Sequence, residues 1–114
     1  MDENVVKLKR IKKERTRLMR IFVDLDENKK KTCEALIDRA AFITISLQDL
    51  EKQLNTTGWV ETYQNGENQY GMKKAAAADV HISLTKNLNA IMKELLNLVP
   101  PAQKKGKLAE MMGR

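Results

Sequence analysis

The sequence predicts a mainly α fold: a basic N-terminal helix, then a long antiparallel helix pair joined by a small β-hairpin wing. Three observations lead there. The 114 residues include only two Phe, two Tyr and one Trp, so a core must come from Leu, Ile, Val, Ala and Met, which suit helix-on-helix packing. Apolar residues recur at three- and four-residue intervals along most of the chain. Midway along the chain that period gives way to two β-prone pieces around an Asn-Gly dipeptide. A chain of this length makes one domain and buries about two-thirds of its unfolded surface, which leaves little room for a deep substrate cleft.

The first helix is expected over residues 4–23, where Val5, Leu8, Ile11, Leu18, Met19 and Phe22 make a narrow apolar stripe interrupted by Arg15. A helix this polar does not hold its shape alone and must lean on the remainder of the protein or on a partner. Residues 24–28 favour caps, and Asp24 with Glu27 has the spacing of a capping box that starts a second helix. The second helix carries a continuous heptad stripe, Cys33, Leu36, Ala40, Ile43, Leu47, Leu50 and Leu54. Ile37, Ala41, Phe42 and Ile45 widen it beyond a two-stranded seam, so contact with more than one neighbour is expected.

Gly58 can take the left-handed conformation that ends a helix. The hairpin is then expected at about 59–72, with strands around Trp59–Tyr63 and Gln69–Met72 and the turn at Asn65-Gly66. Helical spacing returns over 75–99 in Val80, Leu84, Leu88, Ile91, Leu95 and Leu98, and Pro100-Pro101 ends it. The tail from 101 to 114 is basic and polar apart from Leu108, Met111 and Met112, and is expected to be flexible or to become a short helix on a partner. The organisation is thus a basic helix at 1–24, a helical oligomerisation core at 25–100, and a basic tail. Leu36, Ile43, Leu47, Leu50, Leu54, Leu84, Leu88, Ile91 and Leu95 are the candidate core and oligomer contacts.

The net charge is +6, and its excess is local. Residues 7–20 hold eight basic side chains, Lys7, Lys9, Arg10, Lys12, Lys13, Arg15, Arg17 and Arg20, against one acid, Glu14. At 100° per residue they spread around most of the helix and leave only the strip of Leu8, Ile11, Leu18 and Phe22 free. Such a helix can meet phosphates from several directions, and each phosphate it neutralises releases counterions and steepens the salt dependence of binding. A solvated helix face, an acidic protein partner or an anionic membrane would use the same residues, though the narrow apolar strip weakens the membrane option. Lys104, Lys105 and Lys107 form a second, smaller basic cluster.

Signatures of catalysis are nearly absent. One His and one Cys are too few for an ordinary zinc site, and neither a phosphate loop nor a nucleophile elbow occurs. His81 is expected to be structural or solvent-facing, and Cys33 a small buried hydrophobe. The pairs Asp24/Asp26 and Glu61/Glu67 are explained by capping and turn exposure. No catalytic residue, metal or cofactor is therefore assigned. Trp59, Tyr63 and Tyr70 could stack on bases, with core or inter-subunit packing as the plainer use. A lone cysteine, the lack of a signal-like apolar run and the lack of a stretch of ~20 apolar residues point to a reducing cytoplasm and no membrane span.

Several segments also follow one family's order: residues 26–31 (DENKKK), Ala40-Ala41-Phe42, the leucine-spaced helix to Gly58, residues 63–71 (YQNGENQYG), and a long helix closing in Leu98-Val99-Pro100. Over about residues 18–101 the chain resembles the small terminase subunits of tailed bacteriophages, the P27-like group. It departs where that family often places a Ser-Pro cap before the final helix, since Ala75-Ala76 favour helix without marking its start. The resemblance implies a ring-forming homo-oligomer without catalysis, which binds double-stranded viral DNA and presents it to the terminase large subunit, the ATPase and nuclease, in the cytoplasm of the bacterial host. It transfers no base-reading residue, so the DNA contacts rest on charge. The competing expectation is a helical adaptor whose basic arm docks an acidic protein; a weaker one is an Asp/Glu metal-dependent enzyme.

Overall fold

A computed structural model describes residues 2–64, 66–67 and 69–113. The order of elements is α1 (Glu3–Ile21), α2 (Glu27–Thr57), β1 (Val60–Gln64), β2 (Tyr70–Lys74), α3 (Ala76–Asn97) and α4 (Pro101–Met111). This is the mainly helical fold with a β-hairpin that the sequence predicts. The 31-residue α2 is the spine of a body measuring 64 × 37 × 24 Å. At 1.5 Å per residue it is about 46 Å long. Helices α1 and α3 both pack on α2, each antiparallel to it, which answers its widened apolar face.

Local chemistry sets each boundary. Asp2 caps α1 by accepting from the Asn4 N–H at 3.1 Å. The α2 cap is Asp26, whose Oδ1 accepts from the Lys29 N–H at 3.1 Å, rather than the expected Asp24. The turn after α1 consumes residues 22–25 in reversing the chain, with the Leu25 N–H bonded to the Phe22 carbonyl, so the cap falls two residues later. Glu27, freed from a capping box, pairs with Lys30 at 3.0 Å. Ala75 precedes α3 with no side-chain cap, as a sequence without a Ser or Asp there must.

Gly58 terminates α2 as expected, with φ 96° and ψ 151°, and its N–H bonds the Leu54 carbonyl at 2.7 Å. This backbone region is essentially reserved for glycine. A Cβ there would meet only the Val60 carbonyl oxygen, at 3.6 Å, so the obstacle is conformational rather than steric. Gly58→Ala is therefore expected to cost about 1–3 kcal/mol, read as a lowered urea midpoint with an unchanged slope; an unchanged midpoint would show that the cap tolerates a side chain.

The hairpin pairs β1 and β2 antiparallel in the register Val60↔Lys74, Thr62↔Met72 and Gln64↔Tyr70. Both strands lie one or two residues later than the sequence suggests, because Trp59 stays at the root of the wing. There its indole N–H donates to Asn55 at 3.2 Å. Gly66, with φ 124°, lies in the turn; its expected companion Asn65 lies outside the described residues.

The main core sits at the end away from the wing. Leu18, Ile21 and Phe22 meet Cys33, Ile37, Ala40, Leu95, Val99 and Met111, with Leu36, Leu88 and Ile91 packed half-buried against them. Ile43 and Leu47 are buried further along α2, Leu84 is half-buried on α3, and Leu54 with Leu50 packs on Ala75 and Ala78 at the root of the wing. Three stripe positions fail as core: Val5 is 42% exposed, Leu8 66% and Val80 51%, as does Phe42 beside the α2 stripe at 50%. Helix α1 touches only one long neighbour, so the outer edge of its stripe has nothing to cover it.

The largest departure is the tail, expected to be flexible or to fold on a partner. Residues 101–111 form α4, which packs on α1 and α3 of the same chain. Pro101 occupies the first helical position, where a missing N–H costs nothing. Met111 is then delivered into the main core. Among the described residues, no helix is long and apolar enough to cross a membrane.

Candidate nucleic-acid interface

The register of α1 against α2 divides the eight predicted basic residues into committed and available groups. Arg10 reaches Asp49 at 2.5 Å and Gln48 at 3.0 Å. Arg15 leaves on the other flank, where its guanidinium grips Asp38 and, at 2.7 Å, Glu34. The hydrogen bond to Asp38 comes first, with the Asp38 charge behind it, in pushing the Arg15 pKa above its ordinary value. Lys7 lies over the Phe42 ring, 5.2 Å from its centroid, a cation–π contact. These side chains fasten α1 to the spine.

Arg17 has a different task. It binds Glu14 through Nε at 2.5 Å and donates to the carbonyls of Glu110 (3.0 Å) and Met111 (2.9 Å), the last turn of α4. The bond to Glu14 is the main reason its pKa rises. Helix C-termini expose unpaired carbonyls at the negative end of the helix dipole, and a cation satisfies both needs. The arrangement is reciprocal, since Lys107 of α4 donates to the Ile21 carbonyl at the end of α1 at 2.6 Å. Lys29 does the same for α3 by donating to the Leu98 carbonyl at 3.1 Å. Two of the cations the sequence offers to a polyanion, Arg17 and Lys107, thus also cap helices, and Lys29 caps a third, a role no linear pattern reveals.

What remains outward is Lys12, Lys13 and Arg20, all exposed and, among the described residues, without a carboxylate partner; Lys9 is exposed beside them. Arg10, Lys13, Arg17 and Arg20, spaced three, four and three residues apart, line one side of a ≈ 630 Å³ groove with Ile45 and Gln48 of α2 opposite. Ten residues of helix span about 15 Å, or roughly four base-pair steps of a duplex at 3.4 Å each. Glu14 also lines the groove and pairs with Arg17, as Asp49 pairs with Arg10, so Lys13 and Arg20 supply the groove's uncompensated charge. The surface is a linear cationic edge with no enclosed cavity behind it, suited to backbone phosphates and not to reading bases.

The remaining candidates have ordinary surroundings. His81 Nε2 lies 2.9 Å from Glu51, and the ring stands edge-on to Trp59 at 5.2 Å between centroids. Cys33 is buried, and burial, with the nearby Glu34 charge second, pushes its thiol pKa up, away from a reactive thiolate. Asp24 lies 3.9 Å from Lys107, and Glu61 lies 3.9 Å from Lys73 across the hairpin. Trp59, Tyr63 and Tyr70 are exposed and do not line the groove along α1. No family model, curated protein or solved structure matches this chain.

Proposed function

We propose that this chain is a non-catalytic DNA-binding subunit of the small-terminase kind, which assembles with copies of itself and hands duplex DNA to a separate ATPase/nuclease subunit. The supporting observation is the outward edge of α1. Lys12, Lys13 and Arg20 stay unspent while Arg10 and Arg15 hold α1 on α2 and Arg17 ties it to α4, so the helix that carries them is ordered before binding and only their side chains lose freedom on a phosphate. The sequence resemblance over residues 18–101 supplies the terminase context. Repeating this edge around an assembly multiplies weak phosphate contacts, and linked contacts of that kind raise avidity without a tight single site.

Titration of duplex DNA at graded salt concentrations tests the reading. If three to five phosphates are neutralised per copy, the log–log slope is expected to be about −3 to −5 per copy. Binding that is absent at low ionic strength, or indifferent to salt, would overturn it and favour an adaptor that docks an acidic protein.

A further inference from the structure

The two faces of the hairpin wing are unlike. Strand alternation puts Glu61, Tyr63, Gly71 and Lys73 on one face. There the Tyr63 ring lies over Gly71, so close that a Cβ at Gly71 would sit 2.7 Å from it, and Glu61 faces Lys73. That face closes on itself. The other carries Thr62, Gln64 and Lys74 beside Val60, Tyr70 and Met72, and the last three are 54%, 68% and 68% exposed. The wing joins the helices at its root, through the Ala75 N–H to the Trp59 carbonyl at 3.0 Å and the Trp59–His81 contact. An isolated two-stranded hairpin is marginal in water and needs a packed face to be stable.

The whole chain shows a matching deficit. Its accessible surface is 8305 Å², against about 6,300 Å² for a compact monomer of this mass. Its radius of gyration is 18.3 Å, against about 13 Å for a compact domain of this length. The excess of roughly 2,000 Å² is enough for two standard contacts at about 800 Å² per partner. Charge selects the occupant. Lys73 faces Glu61 and Lys74 pairs with Asp79 at 3.0 Å, so the wing offers a polyanion little. Copies of a chain with net charge +6 repel one another and touch most easily where charge is low; on this face the one ion, Lys74, is paired with Asp79 and the exposed area is mostly Val60, Tyr70 and Met72.

We infer that the Val60–Tyr70–Met72 face of the wing is a contact surface for a second copy of this chain. The inference rests on the reading of the chain as an assembling subunit and names the surface that assembles it.

The test is native mass and sedimentation of the full chain carrying Tyr70→Ser with Met72→Asp. Assembly is expected to weaken roughly tenfold or more, since an aspartate would be desolvated in the contact. Helical circular dichroism should be unchanged, because both positions are exposed. Should that double variant lose its helical signal, Val60→Thr carries the test, with weaker assembly and intact helices expected. Lys73→Gln on the opposite face should leave assembly as it is. A wild-type assembly unmoved by folded wing variants overturns the inference and leaves the DNA reading standing on its salt titration. A wild-type chain that is monomeric at all concentrations overturns it too. Wing-dependent assembly without salt-sensitive DNA binding supports the inference and removes the packaging reading instead.

Discussion

Replacing Lys12, Lys13 and Arg20 together with Gln is expected to make the salt slope of duplex DNA affinity shallower by roughly 3 per copy. Near about 0.15 M salt the same change should weaken binding roughly a hundredfold. Each phosphate contact contributes about 0.9 to the slope, and these three cations have no carboxylate partner among the described residues to compensate for their loss. Their removal touches none of the ion pairs that hold α1 on α2, so melting should hardly move. Arg15→Gln is the informative contrast. Its guanidinium is held by Asp38 and Glu34, so its loss should loosen α1 slightly and leave the slope alone. An unaltered slope in the triple variant would mean that DNA is held elsewhere, with the lysines at the N-terminus of α2 and on α4 as the next surface to test.

Leu95→Ala is expected to cost about 3 kcal/mol, within the 2–5 kcal/mol usual for emptying a buried leucine site, and to lower Tm by roughly 10–15 °C. Leu95 is fully buried in the one cluster to which all four helices contribute, where Leu18, Ile37 and Met111 surround the same space. A cavity at such a junction cannot be filled by moving one helix without disturbing the other three. Val80 belongs to the same apolar stripe of α3 but is 51% exposed, so Val80→Ala should change stability by less than about 0.5 kcal/mol. Thermal and urea unfolding of the two variants side by side checks both values. Equal losses would contradict the packing, because periodicity treats the two positions alike and only burial separates them.

That pair shows where linear pattern stops being informative. Three- and four-residue spacing told which side of each helix is apolar, and Ile43, Leu47, Leu54 and Leu95 are indeed buried. It did not tell how far along each stripe a neighbour extends, which is why Leu8 and Val80 end up exposed. The basic helix divides in the same way. Its eight cations were visible as a run, but whether each faces a carboxylate, a helix terminus or water depends on partners 3 to 94 residues away. The tail departs from its pattern for a related reason: its few apolar residues look insufficient alone, and become sufficient once Arg17 and Lys107 cap the two helix ends and Met111 enters the core of the same chain.

The sequence by itself determined the local features of this protein: the helical segments, Gly58 as the end of α2, the hairpin between α2 and α3, and the break at Pro100-Pro101. Each follows from the φ/ψ preferences and hydrogen-bonding capacity of residues a few positions apart. Only the tertiary structure decided that Asp26 and not Asp24 caps α2, that residues 101–111 fold back as α4, and that Lys12, Lys13 and Arg20 face outward. Those outcomes turn on the antiparallel register of α1 and α2 and on which helix ends come to lie together. Register is fixed by burial and charge pairing across the whole fold, and so it is settled only when distant segments meet.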